Sequence, residues 1–218
     1  MKLSNKYFFS VEGETEVWYL EWLRDSINAS PDAEFKVSFD CKIEKDPISR
    51  VKGMSITKKT FVNHIFDRES EEEEHVQQFN KTLKRMKDSQ KIGKTITYCL
   101  GYSNFAFELW MILHKSDCYK PFNYRHQYLK LLNEAYKEKF ISLDEYKSED
   151  NFKKLLKKLI LTDVWIAIDR ANNIMIRNKM NGYILHEYCG FKYYTVNPSL
   201  SVGNIFQNIL EESRVPKS

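Results

Sequence analysis

The first hundred residues alternate between short apolar runs and segments of helical periodicity, and this alternation constrains the fold more than any other feature. One run, residues 35–43, alternates apolar and polar residues strictly, which predicts a strand with one solvated face at a sheet edge. The predicted strands cover residues 6–11, 35–43, 60–66 and 95–99; one helix follows the first strand and another spans residues 71–88. This β-α-β-β-α-β order favours an α/β fold with a mostly parallel sheet flanked by helices.

After Leu100 the pattern becomes helical. We predict helices over residues 105–114, 124–140, 151–161 and 163–180, then a short strand over residues 193–196 and a final helix capped by Ser199 or Ser201. This organisation predicts a core over residues 1–115 and a helical annex over residues 116–218 packed on it. No segment is apolar enough to span a bilayer, and four scattered cysteines form no CxxC pair, so we expect a soluble cytoplasmic protein without disulfides or a zinc site.

Four acidic residues follow the predicted strands of the core. Glu12 ends the first strand, Gly13 permits a tight turn and Glu16 falls in the first helical turn, while Asp67 and Glu69 end the strand over residues 60–66. If these strands are neighbours, the carboxylates converge and repel each other unless a cation is bound. Mg²⁺, or Mn²⁺, prefers such oxygen ligands and leaves positions for phosphate oxygens and water. The alternative interpretation is acids that stabilise a helix dipole and an ordinary polar turn.

Four short motifs occur in a fixed order along the chain. They are Glu12-Gly13-Glu14-Thr15-Glu16, Asp67-Arg68-Glu69, the segment from Ser103 to His114, and Asn197-Pro198-Ser199. This ordered set resembles the RloB-like family of small Toprim proteins, which is related to OLD-type nucleases. The resemblance implies a Toprim-type core, a magnesium-dependent nuclease that binds nucleic acid, and a role in antiviral defence by abortive infection. It also places Glu108 and His114 in the catalytic region.

The sequence departs from the family pattern at two positions. Glu69 stands in place of the second aspartate of Asp-x-Asp, which puts the metal site and turnover in doubt, and Phe105 replaces a proline. Glu108 interrupts the apolar helix over residues 105–114, and a buried carboxylate needs a partner. That partner is a metal-bound water or a basic residue of the annex; alternatively, Glu108 occupies a narrow solvated strip of the helix. His114 lies about 120° further round the helix and fits a helix-end cap better than a general base.

Six basic residues crowd one stretch, a pattern that fits either a phosphate-binding track or a solvated loop. They are Lys42, Lys45, Arg50, Lys52, Lys58 and Lys59. Gly93-Lys94-Thr95 lacks the first glycine of a P-loop, so an ATPase or sensor would be a separate partner. The sequence leaves the substrate, RNA or DNA, and homo-oligomerisation open. The competing hypothesis is a noncatalytic module that binds nucleic acid or protein on a degenerate Toprim scaffold.

Overall fold

A five-stranded sheet lies at the centre of the computed structural model, which describes residues 2–217. The strand order is β2-β1-β3-β4-β7, and the first four strands are parallel, whereas the short β7 runs antiparallel to β4. The strands are β1 Ser4–Val11, β2 Lys36–Ile43, β3 Thr60–Asp67, β4 Ile96–Asn104, β5 Leu185–Tyr188, β6 Phe191–Tyr194 and β7 Ser199–Leu200. The mixed α/β class and mostly parallel sheet predicted from the sequence are confirmed, and β2 is an edge strand as expected.

Helices cover both faces of the sheet and form most of the C-terminal half. They are α1 Glu14–Ala29, α2 Pro47–Lys52, α3 Glu73–Ser89, α4 Glu108–Leu113, α5 Tyr128–Tyr136, α6 Leu143–Tyr146, α7 Glu149–Leu156, α8 Leu161–Met180 and α9 Val202–Glu212, with a 3₁₀ turn at Arg125–Gln127. No helix within residues 2–217 has the length and apolarity needed to cross a membrane.

Two hydrophobic clusters hold these layers together, one on each face of the sheet. On β3, Ile65 belongs to the larger cluster and Phe66 to the smaller one, because successive strand residues point to opposite faces. Trp110 of α4 is fully buried in the larger cluster, with its ring 5.0 Å from that of Phe206 on α9. The larger cluster joins residues from both sides of position 115, while the division into two domains there stays a prediction.

Several elements differ from the sequence prediction because distant contacts define them. Strand β4 continues to Asn104, five residues further than predicted, since its end pairs with β7. Helix α2 was predicted as a loop; Asp46 accepts a hydrogen bond from the Ile48 N–H (3.1 Å) and starts a helix too short to show periodicity. Lys94, which the sequence excludes from a P-loop, donates to main-chain carbonyls at the end of α2, including that of Val51 (2.8 Å).

The serine cap expected on the last helix is wrong. Ser201 does occupy the position before α9, but its hydroxyl donates to the carbonyl of Leu100 (2.9 Å) and accepts from the N–H of Tyr102 (3.2 Å). The hydroxyl of Ser199 donates to the carbonyl of Tyr194 (3.2 Å). These serines therefore fasten the chain before α9 to neighbouring strands instead of satisfying the first helical N–H groups.

Candidate active site

The carboxyl ends of β1 and β3 lie side by side at one end of the sheet's parallel strands, because these two strands are direct neighbours. This C-terminal end of the strands is called the carboxyl edge. Glu12 follows β1 and Asp67 ends β3. A carboxylate oxygen of Glu12 accepts a hydrogen bond from the Asp67 N–H at 3.1 Å. Gly13 carries the chain from β1 into α1 in an extended conformation, and a Cβ atom there would lie 3.2 Å from a carboxylate oxygen of Glu16. The tight turn thus brings the first turn of α1 over the strand ends.

An open cavity of about 300 Å³ lies at this edge. Besides the four predicted metal ligands, a fifth acid, two neutral residues and three basic residues line it. The full set is Glu12, Gly13, Glu14, Thr15, Glu16, Lys45, Asp67, Glu69, Arg125 and Lys147. The structure therefore brings together all four acids singled out in the sequence, while their roles stay predictions.

Burial and mutual repulsion make the negative charges of this cavity costly. Burial raises the pKa of Glu12, and it raises that of Glu16, which is only 5% exposed, despite a hydrogen bond from the Thr15 hydroxyl (3.0 Å). The pKa of Asp67 is raised well above its usual range, first by burial and then by repulsion from the two glutamates. Carboxyl groups in such surroundings either retain protons or require a compensating cation.

Glu108 supplies a further buried carboxylate beside the cavity. It lies on α4, is 1% exposed and forms an ion pair with Lys147 Nζ at 2.9 Å, so its partner is a basic residue of the annex. Its other carboxylate oxygen has no hydrogen-bond partner within residues 2–217. The negative charge of Glu108 raises the pKa values of Glu16 and Asp67, whereas the positive charge of Lys147 lowers them. Lys147 is thus the counter-charge of Glu16, Asp67 and Glu108, whereas Lys45 acts on Glu12.

Glu69 has a different environment from the other acids. Its carboxylate lies 3.3 Å from His75 Nε2 on α3, and the other ring nitrogen of His75 lies 2.7 Å from the Ser70 hydroxyl. The side chain of Glu69 is 40% exposed. It therefore lines the outer wall of the cavity and faces α3 as well as the other carboxylates.

His114 lies outside the group of residues that line the cavity. One of its ring nitrogens lies 3.0 Å from the Tyr19 hydroxyl and the other 2.9 Å from the Trp110 carbonyl oxygen. Burial lowers its pKa to about 4. His114 follows the last residue of α4, which agrees with the helix-end position that the sequence favoured for it.

The basic stretch is divided among separate parts of the molecule. Lys45 lines the cavity and has neither an ion pair nor a side-chain hydrogen bond within the described part of the chain. Arg50 is buried and donates to the carbonyl oxygens of Phe9 (3.1 Å) and Asp40 (2.9 Å). The exposed lysines do not line the cavity. Lys42 is near the end of β2 and Lys52 is at the end of α2. Lys58 and Lys59 precede β3, so they lie at the N-terminal end of the parallel strands, opposite to the cavity. Only one of the six basic residues therefore lines the cavity.

Sequence reasoning missed two of the cationic residues that line the cavity. Arg125 lies in the 3₁₀ turn before α5, and Lys147 directly follows the four-residue α6. Both belong to polar segments after residue 115, with no motif or periodicity that distinguishes them from surface lysines and arginines. Their position follows from the packing of the annex on the sheet, which local sequence does not encode.

The donor set of the cavity fits magnesium better than a transition metal. All candidate ligands are carboxylate oxygens, and magnesium commonly binds one or two carboxylates while keeping several waters. No group of three or more His, Cys, Asp or Glu side chains among residues 2–217 is arranged to hold a metal ion. The unpartnered oxygen of Glu108 and the raised pKa of Asp67 nevertheless indicate that the negative charges of these carboxylates are not fully compensated by positive charges nearby. The side chains thus have the chemistry of magnesium ligands, but within the described part of the chain they are not arranged as an assembled metal site.

Comparison with known proteins places the chain in a family. No similar curated protein and no similar solved structure was found. The model of a family described as RloB-like protein matches residues 7–208, which include every residue that lines the cavity. The chain therefore belongs to the RloB-like protein family.

Proposed function

We propose that this protein is a magnesium-dependent nuclease that hydrolyses phosphodiester bonds in RNA or DNA on a Toprim-type core. One observation carries the proposal: Glu12, Glu16 and Asp67 share an open cavity at the carboxyl edge of a parallel sheet, with pKa values raised by burial. Parallel α/β sheets commonly bind ligands at this edge. Perturbed carboxyl groups in a cleft are typical of catalytic sites, although structural clusters also show them.

Four of the five acids that line the cavity would hold Mg²⁺ or Mn²⁺; they are Glu12, Glu16, Asp67 and Glu69. Magnesium in such a site supplies Lewis-acid chemistry for phosphoryl transfer. Hydrolysis itself adds a water oxygen to phosphorus, breaks the bond from phosphorus to one sugar oxygen, and delivers a proton to that oxygen.

The cations of the cavity are suited to bind and orient the substrate phosphate. Arg125 presents a guanidinium group without an ion pair or side-chain hydrogen bond in the described chain, and guanidinium groups bind phosphate oxygens in pairs. Lys45 also lines a second cavity along α3, together with Lys81 and Arg85. Arg85 is paired with Asp46 in that cavity, so Lys45 and Lys81 supply its net positive charge, along which neighbouring phosphates can bind. Glu108 acts in this proposal as a positioning residue, because it holds Lys147 beside the acids.

The resemblance stated above supports the biological part of the proposal. We infer a cytoplasmic endonuclease of antiviral defence, active in abortive infection and controlled by a separate ATPase or sensor protein. The described chain contains four free cysteines, which fits a reducing compartment. Homo-oligomerisation remains open in this proposal.

A noncatalytic binding module is the second candidate. It is favoured by the contact between Glu69 and His75, which draws one expected ligand towards α3, and by the lack of a preassembled metal site within residues 2–217. Such a module would bind nucleic acid or a protein equally well with and without a chelator.

Cleavage assays distinguish the two candidates. The purified protein is incubated with labelled RNA and DNA, each with Mg²⁺, Mn²⁺ or EDTA. We expect cleavage that requires the metal and is lost in Glu12→Gln and Asp67→Asn, whereas Glu21→Gln, on the exposed side of α1, retains it. Cleavage that survives both cavity substitutions would refute the proposed site. Metal-independent binding without any cleavage would favour the noncatalytic module.

A further inference from the structure

An aromatic pair flanks the arginine that lines the candidate active site. Tyr124 and His126 stand on either side of Arg125, and their rings stack with centroids 5.6 Å apart and planes inclined by 11°. Tyr124 is 61% exposed, and His126 is also exposed. The chain segment that supplies the cavity arginine therefore also presents a flat aromatic surface to solvent, one residue away from Arg125 on either side and outside the cavity lining itself.

The local structure holds this surface in place. The side-chain oxygen of Gln127 accepts hydrogen bonds from the N–H groups of Asn123 (2.9 Å) and Tyr124 (3.0 Å), which fixes the start of the 3₁₀ turn. Below the turn, the Tyr128 hydroxyl donates to the carbonyl of Asn104 at the end of β4 (2.9 Å). The aromatic pair is thus anchored to the sheet edge that carries the carboxylates, and binding there would order few additional groups.

The recessed position of the acids limits which nucleic acids can reach them. Glu16 is 5% exposed and Glu12 and Asp67 are half-buried, whereas Glu69 lies on the outer wall; the cavity of about 300 Å³ is too small to admit both strands of a duplex. A flexible single strand can direct one phosphate into such a space. The bases beside that phosphate are then unpaired, and unpaired bases stack on aromatic side chains and guanidinium planes.

We propose that the substrate is single-stranded or an unpaired loop, and that a base beside the scissile phosphate stacks on the Tyr124–His126 pair while Arg125 contacts the phosphate. This inference rests on the proposed function, because it assigns the substrate class of the same site. RNA and DNA share the required base and phosphate chemistry. The 2′-hydroxyl distinguishes them, so matched strands of both are compared.

Equilibrium binding tests the inference independently of cleavage. Fluorescence anisotropy is measured in EDTA with a 12-nucleotide RNA, the same sequence as DNA, both corresponding duplexes, and an abasic DNA strand of equal length. We expect at least one single strand to bind about tenfold more tightly than its duplex. Tyr124→Ala and His126→Ala should each weaken that binding about tenfold, the usual scale for loss of one base stack.

Matched variants separate stacking from charge and from misfolding. Tyr124→Phe should retain the affinity because it keeps the ring, and Tyr188→Ala, in the distant β5–β6 hairpin, should change nothing. Affinity for the abasic strand should be the same in Tyr124→Ala as in the parent protein, whereas Arg125→Gln should weaken the binding of every strand. Circular dichroism melting verifies that each variant is folded.

The outcomes are distinct. Duplex binding as tight as single-strand binding, unchanged affinity in both alanine variants, or no binding to any oligonucleotide would overturn the inference. Ring-dependent binding of single strands without cleavage under any metal condition would support it and would refute only the nuclease activity. Tighter binding of RNA than of DNA would identify RNA as the substrate class, and the reverse order would identify DNA.

Discussion

Replacement of Lys147 by Met should destabilise the protein by about 3 kcal/mol, since it leaves the Glu108 carboxylate buried without its counter-charge. The charged groups lie 2.9 Å apart. At an effective dielectric constant of about 20 their attraction is about 6 kcal/mol. The Lys147 side chain is 30% exposed, whereas that of Glu108 is only 2% exposed. Solvent therefore screens part of the attraction and reduces the expected loss to roughly half.

Urea unfolding followed by circular dichroism measures this loss. The double variant Glu108→Gln with Lys147→Met should recover about 1.5 kcal/mol or more relative to the single variant, because no buried carboxylate then lacks a partner. Lys153→Met is the matched control: its ion pair with Glu149 is exposed, so it should cost no more than about 0.5 kcal/mol. A loss below about 1 kcal/mol in Lys147→Met, or no recovery in the double variant, would refute the assignment of Lys147 as the essential counter-charge.

Three further predictions concern stability. Burial lowers the pKa of His64 to about 3 and of His114 to about 4, so below pH 6.5 the unfolded chain binds protons that the folded chain does not. As the pH falls from 6.5 to 5, each histidine should therefore lower the free energy of unfolding by up to about 1.4 kcal/mol per pH unit. In a Gln variant of either histidine, the free energy of unfolding measured in urea should fall less steeply with pH, by up to that amount. Arg50→Met should cost about 3 kcal/mol in chemical denaturation, because it removes a buried guanidinium that donates to the Phe9 carbonyl (3.1 Å) and pairs with the Asp40 carboxylate (2.6 Å); a cost near zero would contradict these contacts. Gly101→Ala should cost about 1–3 kcal/mol, since its Cβ would lie 2.6 Å from Cδ1 of Ile205, and adding Ile205→Val should recover most of that loss in thermal melts.

The parallel sheet could be predicted from the sequence because its strands are short runs rich in apolar residues, separated by segments of helical periodicity. The predicted third strand, residues 60–66, matches β3 within one residue. The antiparallel β7 could not be predicted, since two residues, Ser199 and Leu200, carry no periodic signal and pair with β4 almost a hundred positions earlier. Short elements such as α2 were missed for the same reason: they depend on caps and tertiary contacts.

The acidic half of the candidate site could also be predicted, because parallel strands that are neighbours bring their carboxyl ends together. Glu12 and Asp67 needed only the correct strand order to meet. The basic half could not. One interpretation of the lysine-rich stretch was a cationic track. In the structure, Lys58 and Lys59 lie at the N-terminal end of the parallel strands, away from the cavity, and Arg50 is a buried hydrogen-bond donor. A run of like charges in sequence does not specify which faces of the fold its side chains reach.

The division of charge across the chain indicates that the annex is part of the site. The acids of the cavity come from the first 115 residues, while Arg125 and Lys147 come from the remainder. A core cut at residue 115 would retain Glu16, Asp67 and Glu108 without their main counter-charge, and it would expose α4, which is buried between the two halves. Charge repulsion and exposed apolar surface would both oppose folding of that fragment. Residues after position 115 therefore supply positive charge to the cluster of carboxylates, and the later half of the chain contributes two of the cationic side chains that line the cavity.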